Sequence, residues 1–214
     1  YMESHVRGKA MKGYRSEESV PEDSRTETYV AMKLYIDNWR WGGVPFYIRT
    51  GKRLPTKVTE IVVYFKPSPH KLFMDHEGGT AGGNMLVIRI QPDEGILLKF
   101  GMKVQGAGFK VKDANLDFYY KDLSVSYIPE AYQRLLLDCM QGDSTLYTRG
   151  DAVEAAWRFV DPVLEAWKSE KDIPLHGYPC GTWGPEVADA MFEEGYCWRY
   201  PSKNLADDGL YCQL

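Results

Sequence analysis

The 214-residue sequence predicts an α+β fold: a large, mainly antiparallel β-sheet with helices packed on one face. Three observations lead there. Runs of β-branched and aromatic residues fill the stretch from about residue 29 to 120, and helical periodicity begins only after it. No strand–helix–strand alternation appears that would build a parallel sheet. Neither GxGxxG nor GxxxxGK[ST] occurs, so the nucleotide-cradling turns of doubly wound folds are missing from these residues.

The elements follow in order. Residues 1–26 are polar and broken by Gly8, Gly13 and Pro21, and read as a leader with no core of its own. Val30, Met32, Leu34 and Ile36 then alternate with Tyr29, Ala31, Lys33 and Tyr35, the period of a strand. After the turn "DNWRWGG", "VPFYIR" (44–49) and "TEIVVYF" (59–65) read as two strands, and the loop between them suggests a hairpin. Residues 66–83 are Pro-rich and then Gly-rich, and read as loop. "NMLVIRIQP", "GILLKFGMKV" and "ANLDFYY" continue the β series.

Helices come next. "IPEAYQRLLLDCMQGD" places Pro129 at a helix start, with Tyr132, Leu135, Leu136 and Cys139 on one face, so Cys139 is expected to be buried. "GDAVEAAWRFVDPVLEAWKSEK" is helical in period, and Pro162 should kink or divide it. A short helix is expected at "GPEVADAMFEEG". The expected organisation is a leader over 1–26, a β+α domain over 27–200 and a mobile or draped tail over 201–214.

Composition narrows the function classes. At 44% hydrophobic, 26% charged and 14% aromatic, this is the composition of a folded soluble protein. A net charge of −4 disfavours nucleic acid and anionic membranes as partners, so any anion binding must be local. No apolar run approaches the roughly 20 residues that span a bilayer. The first residues lack the apolar segment of a signal peptide. Cys139, Cys180, Cys197 and Cys212 form no CxxC pair and have no zinc-like spacing with His, which predicts reduced thiols, no metal site and a cytoplasmic location.

One stretch stands out chemically. "VPFYIRTGKRLPTK" gathers Arg49, Lys52, Arg53 and Lys57 around Thr50-Gly51 and Leu54-Pro55. A phosphate monoester carries close to two negative charges and three acceptor oxygens, and ammonium groups meet it as compact point charges. Each charge-assisted contact is worth about 1.5–3 kcal/mol, offset by roughly half through ordering of the side chains. Residue types alone leave the alternative of a solvated basic turn open. No catalytic set is visible: His5, His70, His76 and His176 fall in segments read as loops, and the carboxylates are scattered.

The block "SRTETYVAMKLYIDNWRWGGVPFYIRTGKRLPTKVTEIVVYF", followed by "NMLVIRIQPDEG", "IPEAYQRLLLDCMQGD", "AWRFVDPVLEAW" and "GTWGPEVAD", resembles the carboxy-terminal half of the bacterial glucose-6-phosphate dehydrogenases. The likeness runs from about residue 6 to about residue 198. It implies a parent enzyme that oxidises glucose 6-phosphate to 6-phosphogluconolactone with NADP in the oxidative pentose phosphate pathway. It also implies a homodimer or tetramer formed through the β-sheet. The family's coenzyme fingerprint and general-base histidine match nothing here, so this chain is expected to hold no catalytic residue and to be inactive alone. The alternative is a free-standing sugar-phosphate-binding or dimerisation module.

Residue by residue, the resemblance makes Lys52 a substrate ligand, Lys57 a ligand of the phosphate end and Gln91 a further substrate contact. Some relatives hold a second, structural NADP. Arg49 and Arg89 match two of its arginines, whereas Val58, Val62, Leu97 and Trp183 depart from its pattern, so that site is expected to be mostly lost.

Overall fold

The structure, a computed structural model, describes residues 1–67, 69–70, 76–77, 83–106, 108–123, 131–193 and 196–206. The chain forms two compact units, Tyr1–Leu123 with His176–Leu214, and Ser124–Leu175. Pro129, most of the Gly-rich stretch 78–83 and Cys212 lie outside the described residues.

Among the described residues, the strands lie in the first unit. A short hairpin joins β1 (Ser4–Val6) to β2 (Lys9–Met11), where the sequence had suggested only an irregular leader. Its turn uses Arg7 and Gly8 with φ of 51° and 77°, the left-handed pair that a two-residue hairpin turn requires. β3 (Tyr29–Leu34) pairs antiparallel with β4 (Phe46–Gly51) in a two-stranded sheet. The main sheet contains β5 (Thr59–Tyr64), β6 (His76–Glu77), β7 (Met85–Gln91), β8 (Gly95–Lys103) and β9 (Val111–Tyr119), in the order β5-β7-β8-β9-β6. All its pairings are antiparallel except the two-residue β6–β9 contact.

The hairpin expected between 44–49 and 59–65 does not form. β4 pairs back with β3, and β5 pairs forward with β7, so the basic turn carries the chain from one sheet to the other. His5 and His76 sit in strands, not in loops.

Alternation sets the two faces of the main sheet. Across strands, Val62, Val87 and Leu97 stand in register, as do Tyr64 and Met85, and Leu205 closes over them to complete the buried core. The tail is therefore anchored at Leu205, which is fully buried, and its amide donates to the Tyr119 hydroxyl at 2.8 Å. The opposite face carries two apolar rows: Ile61, Ile88, Ile96 and Phe118, and Val63, Leu86, Leu98 and Leu116. Of these, Ile61, Leu116 and Phe118 are exposed.

A short helix α1 (Tyr120–Leu123) follows β9. In the second unit, α2 (Ala131–Gln141) buries Asp138, not Cys139, which is exposed. The helical face is thus offset by one residue from the expected one. α3 (Gly150–Ser169) runs undivided through Pro162. The segment Glu186–Met191, back in the first unit, is a 3-10 helix entered from Pro185.

Candidate functional site at the basic turn

The turn after β4 is held through its backbone, leaving its lysine side chains in solvent. The Lys52 amide donates to the Thr28 carbonyl at 2.8 Å. Its carbonyl accepts from the Tyr178 hydroxyl at 2.7 Å, and the same hydroxyl lies 2.9 Å from the Thr28 carbonyl. The Arg53 carbonyl accepts the Gly181 amide at 2.8 Å. Tyr178 is almost fully buried, its ring 5.3 Å from that of Tyr29 and 6.4 Å from that of Tyr1. Burial raises the Tyr178 phenol above its ordinary value, so the proton that bridges these two carbonyls is retained.

Gly51 ends β4, and a Cβ built on it would stand 2.7 Å from Cδ2 of Tyr29. It is Arg53 that adopts the left-handed conformation, with φ of 56°. Its guanidinium pairs with Glu17 at 3.1 Å and lies over the Tyr1 ring. Hydrogen bonds from the Tyr1 hydroxyl, and then from Arg53, hold the Glu17 carboxyl below the usual carboxylate range.

Lys52 and Lys57 are exposed, and among the described residues neither has a carboxylate partner. Lys57 lies two residues before Thr59, and Thr59 pairs with Gln91 at the end of β5–β7. Lys57 and Gln91 therefore share one end of the main sheet, while Lys52 stands on the turn that leads into it. The Lys52 backbone is thus fixed by Thr28 and Tyr178, so only its side-chain rotamers remain to be ordered.

The two arginines are occupied otherwise. Arg49 lies against three rings, 5.0 Å from Trp183, 4.7 Å from Trp198 and 5.1 Å from Tyr200. Its guanidinium donates to the carbonyls of Trp183 and Arg199 at 3.4 and 2.8 Å. Burial lowers its pKa from the ordinary arginine value. Arg89 is buried, with Nε 3.1 Å from Glu60 and Nη2 3.1 Å from the Ser202 carbonyl. Leu97 is fully buried and Val62 packs against the same core. Among the described residues there is no group of three or more metal-ligating side chains, and no helix is long and apolar enough to cross a membrane.

Sequence reasoning missed the residues that build this turn from a distance. Tyr178, Gly181 and Thr28 are brought in by tertiary contacts and carry no local pattern. Glu60 and Arg199 were missed for the same reason.

Fold and turn together define an antiparallel α+β domain that offers a fixed, cationic edge. The sequence model of "Glucose-6-phosphate dehydrogenase, C-terminal domain" matches residues 1–199, and the chain belongs to that family. The match begins at residue 1 and so takes in the hairpin at the start. A glucose-6-phosphate 1-dehydrogenase of Treponema pallidum is 54% identical over 216 aligned positions, covering 100% of this chain and 42% of that protein. The enzyme of the same name from Aggregatibacter actinomycetemcomitans is 52% identical, covering 94% of this chain and 40% of the relative. A solved structure of a glucose-6-phosphate dehydrogenase in complex with its substrate glucose-6-phosphate superposes with a TM-score of 0.77 at 32% identity, over 92% of this chain and 40% of that one. The enzyme of Mycobacterium avium gives a TM-score of 0.74 at 38% identity, over 89% of this chain and 39% of that one. The chain thus spans about two fifths of the length of these relatives.

Proposed function

We propose that the chain is the substrate-side and oligomerisation domain of a glucose-6-phosphate dehydrogenase, whose parent enzyme oxidises glucose 6-phosphate to 6-phosphogluconolactone with NADP. The observation that carries this reading is the backbone-anchored turn bearing two exposed lysines that have no carboxylate partner among the described residues. In this reading Lys57 takes the phosphate end, Lys52 a further substrate oxygen and Gln91 the sugar. The domain is a leader over 1–26, a β+α body over 27–200 and a tail over 201–214. The parent works in the cytoplasm, in the oxidative pentose phosphate pathway.

The residues of this chain supply no coenzyme fingerprint, so hydride transfer is assigned no group here. The second, structural NADP does not suit them either. Arg49 is enclosed by aromatic rings, Arg89 is paired, and Leu97 and Val62 belong to the core. The two apolar rows on the outer face of the main sheet support a homo-oligomer through that face.

An NADPH absorbance assay with glucose 6-phosphate tests the division of labour. No turnover by the 214 residues is expected, and turnover would overturn it. The alternative, an autonomous sugar-phosphate module, predicts tight, salt-sensitive calorimetric affinity that Lys57→Ala abolishes. A half-site predicts weak but detectable binding, in the roughly millimolar range.

A further inference from the structure

We propose that Glu60 is a positioning residue: held between Arg89 and Arg199, it maintains the register shift that turns Gln91 onto the exposed side it shares with Lys57. The proposal rests on the substrate reading above, since it concerns how one wall of that site is set.

The strand register sets the side on which Gln91 lies. Glu60 pairs with Arg89, but Thr59 pairs with Gln91, so β7 carries one extra residue, Ile90, at this step. Strand side chains alternate between faces, and a shift of one residue exchanges those faces. In an unbroken ladder Gln91 would fall with Arg89 and Val87 on the buried face. With Ile90 as the bulged residue, Gln91 instead stands opposite Thr59, and both are exposed. Gln91 can meet a ligand because of this bulge.

Ionic contacts adjoin the shift directly. One Glu60 oxygen accepts from Arg89 Nε at 3.1 Å, and the other accepts from Arg199 Nη1. All three side chains are buried, at 0%, 1% and 7% exposure for Arg89, Arg199 and Glu60. The arginines continue to the Ser202 and Leu205 carbonyls at 3.1 and 3.0 Å, tying the tail to the strand end. Two guanidinium groups thus share one carboxylate, and among the described residues Arg89 Nη1 and Arg199 Nε have no hydrogen-bond partner. Without the Glu60 charge, two buried cations would face one another across the bulge. Opening the β5–β7 end relieves that repulsion.

The test uses the isotope-labelled 214-residue chain, titrated by NMR with inorganic phosphate and, separately, with glucose 6-phosphate. Glu60→Gln keeps size and removes charge. The Thr59 and Gln91 amides should then lose hydrogen-exchange protection by about tenfold or more, while β8–β9 keeps its own. The Gln91 response to glucose 6-phosphate should fall by at least about half, with the Lys57 response to phosphate unchanged. Adding Arg199→Gln to the Glu60→Gln background should restore part of the Gln91 response, because one buried cation then remains and nothing forces the β5–β7 end apart. A role confined to general stability predicts no such rescue.

Wild-type protection and response at Gln91 in Glu60→Gln would overturn the proposal, as would failed rescue with β8–β9 intact. Should Glu60→Gln unfold, Arg199→Gln replaces it. That variant keeps the Arg89–Glu60 pair and should show a smaller loss confined to the same amides; a uniform loss across the sheet would overturn the clamp. A wild-type chain unresponsive to both ligands defeats the substrate reading itself, while exchange at Gln91 still reports on the clamp.

Discussion

Tyr178→Phe should loosen the basic turn without disturbing the core. The substitution removes one oxygen, whose hydrogen lies between the Thr28 carbonyl at 2.9 Å and the Lys52 carbonyl at 2.7 Å. The Thr28 carbonyl keeps the Lys52 amide at 2.8 Å, so the Lys52 carbonyl is the group left bare. Losing a hydrogen bond costs about 1 kcal/mol, and stranding a buried acceptor raises this towards 3, so about 2 kcal/mol is expected. The ring keeps its place against Tyr29 and Tyr1, and no cavity term is added. For a chain of this size that corresponds to a fall in Tm of about 4–8 °C. Denaturant unfolding should show a lower midpoint at unchanged slope, with faster hydrogen exchange at Lys52. An unchanged midpoint together with unchanged Lys52 protection would refute the anchoring of the turn by Tyr178.

Three further outcomes are expected. Leu205→Ala should cost about 2–5 kcal/mol in denaturant unfolding, because Leu205 completes the Met85, Val87 and Leu97 core; a change below about 0.5 kcal/mol would return the tail to a passive role. Gly51→Ala should cost about 1–3 kcal/mol by pressing Cβ onto the Tyr29 ring, and a thermal melt that stays in place would contradict that contact. Burial raises the phenols of Tyr29 and Tyr178, so their contribution is full below the unfolded tyrosine value near pH 10 and is lost as pH rises through the folded values. Unfolding free energy should therefore fall above about pH 10, and less steeply in Tyr178→Phe; equal slopes for the two chains would contradict this.

Much of the strand order was legible because strong alternation marks β3, β7 and β8 wherever one face is buried. Pairing was less legible. Thr59–Tyr64 follows the basic turn closely, yet its partner is Met85–Gln91, and nothing local distinguishes that from a hairpin with Phe46–Gly51. The β1–β2 hairpin escaped notice because three-residue polar strands have no period. Leu205 is a lone apolar residue in "SKNLADD", so its burial depends wholly on tertiary contact. Lys52, Lys57 and Gln91 could be singled out by charge and resemblance. The Tyr178 anchor and the Glu60 clamp could not, since each joins residues more than a hundred positions apart.

In the proposed function the turn is one wall of a glucose 6-phosphate pocket. NMR titration of the isotope-labelled chain with glucose 6-phosphate, beside its Lys57→Ala variant, tests it most directly. Shifts are expected only at Lys52, Lys57, Gln91 and their neighbours, weakened by salt and lost in Lys57→Ala although that variant unfolds within about 0.5 kcal/mol of the parent. Absence of any response there at millimolar ligand, or an equal response in Lys57→Ala, would contradict it.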